Sequence, residues 1–473
     1  MPRDSADRTF IETLSQHFAA DMFTPAEQSY LDEPRGRWQG AEGFVARPRS
    51  TQEVADLVKA CAEGGIGIVP YGGGTGLVGG QIAPASDTNT PLILSLERMT
   101  RIRAIYPQEN VLVADAGVIL ANIQSAAADA DRLFPLSLAS EGSARIGGLL
   151  STNAGGVNVL RYGNARGLCL GLEAVMPDGS IWHGLKRLHK DNSGYDLRDL
   201  LIGSEGTLGI ITAASLKLFP RPAAHGTAFF AIRDADAALG LLSLARAQLG
   251  ESISGFELIH RTGLDFLTET LPDIRQPFPG APPEWMVLID IGLPRGIDPL
   301  AALEELFMSA EADGIAYDAI IAQSEAQRQE FWSVREHIPE ANRRIGSVSS
   351  HDVSVPLGEL PNFIAQVEQA IGQIGEFRTN CFGHVGDGNL HFNVFPPPGR
   401  TRNDYLKERD QIKRAVHDIT HALDGSISAE HGIGRLKKAD LARYGDPVKL
   451  AAMRAIKDAL DPKGIMNPGA VLP

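Results

Sequence analysis

The sequence predicts an α+β protein built as two domains, residues 1–220 and 221–450, with a C-terminal segment, 451–473, that returns to the first. Three observations support this division. A βαβ-like unit near the N-terminus runs into a glycine-dense loop at 72–80. Pro220 and Pro222 frame a linker in which neither helix nor sheet continues readily. Beyond that linker the chain changes to helical patterns alternating with strands. At 473 residues, 43% hydrophobic and 22% charged, the composition is ordinary for a globular protein of two or three domains.

Residues 43–47 read as a strand. Ser50 or Thr51 can cap the helix that follows, whose Val54, Leu57, Val58 and Cys61 recur at helical spacing. Gly64 and Gly65 end it, and 66–71 forms a second strand leading into the glycine loop; further short strands are expected at 92–96 and 111–115. From 133 to 220, glycine and small polar residues gather at 147–148, 155–156 and 203–209, which lets backbone lie close to something flat or phosphorylated.

In the second domain the spacing predicts helices over 235–249, 300–312, 323–345, 358–374 and 402–423, with strands near 227–232, 286–291, 351–355 and 391–395. The tail combines a helix with the turn-rich stretch Asp461–Gly469.

Composition excludes several classes of function. The longest apolar runs, such as 92–96, fall far short of the roughly 20 residues that cross a bilayer. The N-terminus mixes both charges and lacks the layout of a secretory signal, so a cytoplasmic location is expected. Cys61, Cys169 and Cys381 are widely spaced, which predicts buried reduced thiols and no disulfide framework. A net charge of −14 disfavours nucleic acid as a partner, because that binding depends on neutralising phosphates with lysine and arginine.

The chemistry concentrates in His384–His391, which reads HVGDGNLH, and in Glu430-His431. Two imidazoles and a carboxylate are a usual ligand set for a divalent cation with positions left open, and a neighbouring His can act as a base. Period-two alternation puts His391 and Asn393 on one face of a strand and Phe392 on the other. Either His alone reads more readily as a hydrogen-bonded core residue, and only with Glu430 does the pair favour a cation; Asp387, between two glycines, reads as a turn carboxylate before a ligand.

The glycine loop formally contains G-x-G-x-x-G at 74–79, and Glu97 lies about where a dinucleotide fold carries its acidic residue. A helix must open directly from such a loop, yet 81–91 carries Pro84 and Pro91 and no amphipathic period. What remains is a nest of backbone N–H groups suited to phosphate or pyrophosphate.

With 70–80 (PYGGGTGLVGG), 146–156 (IGGLLSTNAGG), Arg161-Tyr162-Gly163 and 191–210 (DNSGYDLRDLLIGSEGTLGI) in view, the chain resembles the FAD-binding domain of the vanillyl-alcohol-oxidase flavoprotein superfamily. With 384–391, 430–431 and 461–468 added, it resembles the D-2-hydroxy acid dehydrogenase branch, whose members include D-2-hydroxyglutarate and D-lactate dehydrogenases. The resemblance covers nearly the whole chain. It implies a two-subdomain FAD-binding domain joined to an α+β cap domain that holds substrate.

It further implies that Gly72, Gly73, Gly74, Thr75, Gly76 and Gly79 wrap the FAD pyrophosphate. Ser143, Gly147, Gly148, Thr152, Asn153 and Gly156 would lie along the cofactor, with Glu205, Gly209 and Ile210 toward adenine or ribose and Asn467 toward the isoalloxazine. Some relatives attach the ring through His or Cys; 70–80 contains neither, so noncovalent FAD is expected. His384, His391 and Glu430 carry over as ligands of zinc or manganese, His431 as the base, and Arg335, Asn393 and Ser350 as substrate contacts. A 2-hydroxy acid chelating such a cation has an acidified hydroxyl, so His431 can take its proton while C2 delivers hydride to the flavin. Taken alone, Arg335 reads as a helix-face arginine paired with Glu336 or Glu340.

The chain departs from the hydroxyglutarate pattern in one place. Relatives carry Thr and Lys near the distal carboxylate, where this chain has Pro339 and Ser350; Arg343, Arg344 or His351 could compensate. Hydroxyglutarate, lactate and malate-like acids therefore all stand as substrates. A metal-dependent hydrolase, a noncatalytic flavin-binding subunit and an oxygen-using oxidase are the competing readings. The resemblance leaves electron transfer flavoprotein, a quinone or a cytochrome as electron acceptor, and a homodimer is among the assemblies it allows.

Overall fold

The computed structural model, which describes residues 4–85 and 89–473, divides the chain into two compact units. The first comprises Met1–Gly156, Gly163–Arg221 and Glu430–Pro473; the second comprises Val157–Tyr162 and Pro222–Ala429.

In the first unit, the helix Thr51–Gly64 forms where the spacing requires. Ser50 accepts a hydrogen bond from the Glu53 amide at its start, and Gly65, at φ 67°, closes it through Cys61. Val54, Leu57, Val58 and Cys61 are fully buried, each aliphatic side chain contributing about 1.5–3 kcal/mol relative to exposure. This helix packs with a four-stranded sheet ordered Phe23–Pro25, Phe44–Ala46, Leu92–Ser95 and Ile68–Tyr71, whose last three strands run parallel. A separate antiparallel sheet is ordered Ile102–Tyr106, Val111–Asp115, Ile210–Lys217, Cys169–Val175 and Ile181–Gly184. Two sheets make two subdomains, as the superfamily fold implies.

The C-terminal segment pairs with the first sheet: the Ile68 amide donates to the Ile465 carbonyl and the Asn467 amide to the Ile68 carbonyl. The return to this unit begins at Glu430, not at 451. The reason is local bonding, since the Glu430 carboxylate accepts from the Gly156 amide and the amides of Ile433 and Gly434 bond Glu205.

The second unit is built on a seven-stranded, fully antiparallel sheet. Its order is Ala316–Ile321, Ala224–Ile232, Trp285–Leu293, Ile253–His260, Arg378–His384, Asn389–Phe395 and Ser349–Ser354. Ala235–Leu249, Pro299–Ala312, Leu360–Ile374 and Arg409–Ala422 join one core, with Phe256, Leu258 and Phe392 from the sheet. Arg261–Thr270 and Glu325–Ile345 join another, with Ile259, Phe382 and Phe395.

Three strands of this sheet escape the sequence reading. Ile253–Ile259 is buried throughout, so no alternation marks it; Arg378–His384 is polar and glycine-broken; and Ala316–Ile321 is an edge strand with an exposed centre. The helix read over 402–423 is two elements, a 3₁₀ turn Arg402–Tyr405 with a Thr401/Asp404 capping box and then the helix Arg409–Ala422.

Candidate active site

Glycine-rich backbone forms the wall of a cleft within the first unit. Gly72–Gly76, Gly147, Gly148 and Thr152 all line it, and missing Cβ atoms let the glycine backbones pack closely, Gly72 against Gly148 among them. A Cβ on Gly73 would lie 2.2 Å from the Ser143 carbonyl oxygen, and one on Gly147 would lie 2.6 Å from Ala116 Cβ. Glu205, Gly209, Ile210 and Asn467 complete the wall, and His431 stands on it too.

A hydrogen-bond web ties these distant segments together. Glu205 accepts from the amides of Ile433 and Gly434, both at 2.8 Å. Arg435 donates to the carbonyls of Gly79 and Gly80 and to Asn467 Oδ1, and Asn467 Nδ2 donates to the carbonyls of Gly80 and Glu205. Glu205 at φ 52° and Asn467 at φ 39° hold a left-handed backbone that costs side chains some strain. Burial raises the Glu205 carboxyl above its ordinary 4.5, against the amides of Ile433 and Gly434 and the Arg435 charge, which lower it.

Gly79, Ser143, Asn153 and Gly156 do not line this cleft. Gly79 packs on the Trp38 ring, Ser143 bonds the Ser140 carbonyl, Asn153 accepts from the Arg166 amide, and Gly156 donates to Glu430. No helix opens from the glycine loop among its described residues, and 86–88 lie outside them. Glu97 accepts from the Tyr30 hydroxyl at 2.6 Å and pairs with Arg47, which are structural partners.

In the second unit, strand register gathers polar groups on one sheet face. Glu257 lies opposite His384, Asp352 opposite His391, and Asn393 opposite both Asn380 and Ser350. Cross-strand partners point to the same side. The His384 and His391 rings stand edge-to-face with centroids 5.6 Å apart. Both are backed by acid: Glu257 Oε1 is 2.6 Å from His384 Nδ1, and Asp352 Oδ1 is 3.9 Å from His391 Nδ1.

Helix Glu325–Ile345 covers this face and supplies Arg335, which is only 5% exposed and not the solvated helix-face arginine that spacing alone allows. Its Nε donates to Glu257 Oε2 at 2.7 Å and its guanidinium lies over the Phe382 ring, 4.8 Å from the centroid. Seven residues earlier, Arg328 pairs with buried Asp290, which also accepts from Trp332 and Thr227. Glu257 is fully buried; burial pushes its carboxyl up, but the facing His384 and Arg335 outweigh that and hold it at about 2.

Glu257 is the site residue that the sequence conceals. It sits in a fully buried strand far from the histidine motif, and only the pairing of Glu257 with His384 shows it. The residues read as compensating for a distal carboxylate contact have other employment. Arg343 and Arg344 pair with Glu340, and His351 lies on the opposite sheet face against His417 and Ser349. Ser350 is exposed, its hydroxyl bonded to Ser347, and Asp387 accepts from the Asn389 amide within its turn. Cys61, Cys169 and Cys381 are all free and buried.

No helix among the described residues is long and apolar enough to cross a membrane. Residues 43–184 match the FAD binding domain family, and 221–471 match the C-terminal domain of FAD linked oxidases. The chain is 37% identical over 451 residues to the mitochondrial D-2-hydroxyglutarate dehydrogenase of Bos taurus, covering 94% of this chain and 80% of the relative. It is 36% identical to the mitochondrial D-2-hydroxyglutarate dehydrogenase of Arabidopsis thaliana over 92% of this chain and 76% of the relative. Its fold matches that of substrate-bound p-cresol methylhydroxylase, with a TM-score of 0.74 at 16% identity over 98% of this chain and 97% of the other. The chain thus belongs to the FAD-linked oxidases, in their D-2-hydroxy acid dehydrogenase branch, and is an FAD-dependent oxidoreductase.

Proposed function

We propose that the protein oxidises a D-2-hydroxy acid of the D-2-hydroxyglutarate kind to its 2-oxo acid, with noncovalent FAD and a divalent cation, zinc or manganese, held by His384, His391 and Glu430. The observation that carries this reading is one buried carboxylate, Glu257, bonded to both an imidazole and a guanidinium on the same sheet face. A structural core needs neither partner in that number. The donor set suits a cation: Glu257 occupies His384 Nδ1, which leaves Nε2 as a ligand atom. The glycine-built cleft suits a dinucleotide, since its backbones meet where side chains could not.

When bound, the cation lowers the pKa of the substrate hydroxyl and FAD takes up the hydride leaving C2. The chain's own residues do the rest. Arg335 and Asn393 orient the acid through its carboxylate and polar oxygens. His431, on the wall of the nucleotide cleft, accepts the hydroxyl proton. Buried Phe382, paired across the strands with His391 and with its ring centroid 5.1 Å away, keeps that side of the imidazole apolar. Electron transfer flavoprotein, a quinone or a cytochrome would be the electron acceptor.

A short-chain acid such as D-lactate is the second reading. It is favoured by the other arginines that could meet a distal carboxylate: Arg328, Arg343, Arg344 and Arg378 all have carboxylate partners. Anaerobic flavin reduction by D- and L-2-hydroxy acids, before and after chelation, tests both. Bleaching by D-2-hydroxyglutarate that chelation abolishes is expected; bleaching by D-lactate alone would select the second reading, and none with any hydroxy acid would reject both.

A further inference from the structure

We infer that Glu257 is a positioning residue serving two groups at once: it fixes which nitrogen of His384 faces the cation and aims Arg335 at the substrate carboxylate. The inference rests on the reading above and adds a residue to it. A carboxylate only accepts hydrogen bonds, so its 2.6 Å contact requires the proton of neutral His384 to sit on Nδ1 and leaves the Nε2 lone pair for a metal. On Arg335 the same carboxylate takes Nε, while Phe382 supports the guanidinium face. The Nη groups, which make no hydrogen bond among the described residues, form the edge left for a bidentate acid.

An ion pair alone would need only Arg335, and a ligand support alone would need only His384. Glu257 makes both contacts, one with each oxygen, at 2.6 and 2.7 Å with no exposure to water. The cation site and the acid site are therefore mechanically joined through one side chain. An amide cannot replace it. Gln offers one acceptor and one donor to two donors, so either His384 must shift its proton to Nε2 and lose its ligand atom, or Arg335 must turn away.

The test is Zn2+ affinity of the flavin-loaded Glu257→Gln enzyme by chelator competition, with the KM for the hydroxy acid and flavin content read alongside. A Zn2+ Kd raised about 10–100-fold, the usual effect of losing a ligand's supporting group, with a raised KM and native flavin content, is expected. A Kd within about twofold of the unsubstituted enzyme would overturn the inference. Because Glu257→Gln leaves a buried arginine unpaired, the charge-balanced Glu257→Gln/Arg335→Met enzyme is measured too. It should also show weakened Zn2+ binding, and native affinity there would overturn the inference equally. If the unsubstituted enzyme binds no Zn2+, the cation reading itself falls; if it binds and both variants bind alike, only the role of Glu257 falls.

Discussion

In the first unit the cleft is made of main chain: Gly73 against Ser143, Gly147 against Ala116, with Glu205 and Arg435 spending their charges on backbone groups. In the second unit the corresponding chemistry is carried by side chains raised from a sheet, with Glu257, Asp352, His384 and His391 facing one another across strand pairs. The contrast has a consequence. A backbone-built site fails sterically, so its variants should lose the cofactor. A side-chain-built site fails chemically, so its variants should keep the cofactor and lose turnover.

His431 is the sharpest probe, because it is a chemical side chain on the wall of the backbone-built cleft. His431→Asn should keep its flavin and lower the rate of flavin bleaching by about 10²–10⁴-fold, the range for losing a general base. Loss of flavin instead would make His431 part of the cofactor scaffold and break the contrast. Next is Arg335→Lys, whose ammonium lacks the planar fork that can give Nε to Glu257 and a bidentate edge to a second carboxylate. It should raise the KM by roughly thirtyfold, about 2 kcal/mol, with native flavin content. Smaller again is Gly73→Ala, whose methyl would meet the Ser143 oxygen at 2.2 Å. Overpacking of about 1–3 kcal/mol should weaken FAD retention roughly tenfold. The control is Gly142→Ala, where nothing lies within 4 Å of the added methyl.

The same contrast explains which parts were legible in the sequence. Glycine clusters are contiguous, so the loop at 72–76 and the 147–148 pair could be read directly as close-approach backbone. The hairpin His384–His391 was legible for the same reason, with both imidazoles in one short motif. Glu257 was not, because its strand is buried on both faces and has no alternating pattern, and its partner lies 127 residues away. Arg335 looked like a surface residue because helical spacing offered Glu336 and Glu340 as partners; tertiary burial overrode that local choice. The domain return was placed late because the bonding that starts it, Glu430 to Gly156 and Glu205 to Ile433 and Gly434, is carried by residues with no periodic signature.

The smallest effect concerns another buried glutamate, Glu205. Glu257 is held low by the groups it faces, whereas Glu205 is raised above 4.5 by burial despite two amides and Arg435. A raised carboxyl means that the fold favours the protonated form. Its contribution to stability is therefore fully present below about pH 4.5, the unfolded value, and is lost as pH rises through the folded value. Gln resembles the protonated acid and does not titrate. Below pH 4.5 the unsubstituted and Glu205→Gln proteins should melt alike, within roughly 1 kcal/mol or a few degrees in Tm. As pH rises, the unsubstituted protein should lose ground to the variant. Thermal melts of both across a pH series, at equal flavin content, measure that difference free of every other titrating group they share. A difference that moved the other way would mean that the Ile433 and Gly434 amides outweigh burial, and that Glu205, like Glu257, is held by what it touches.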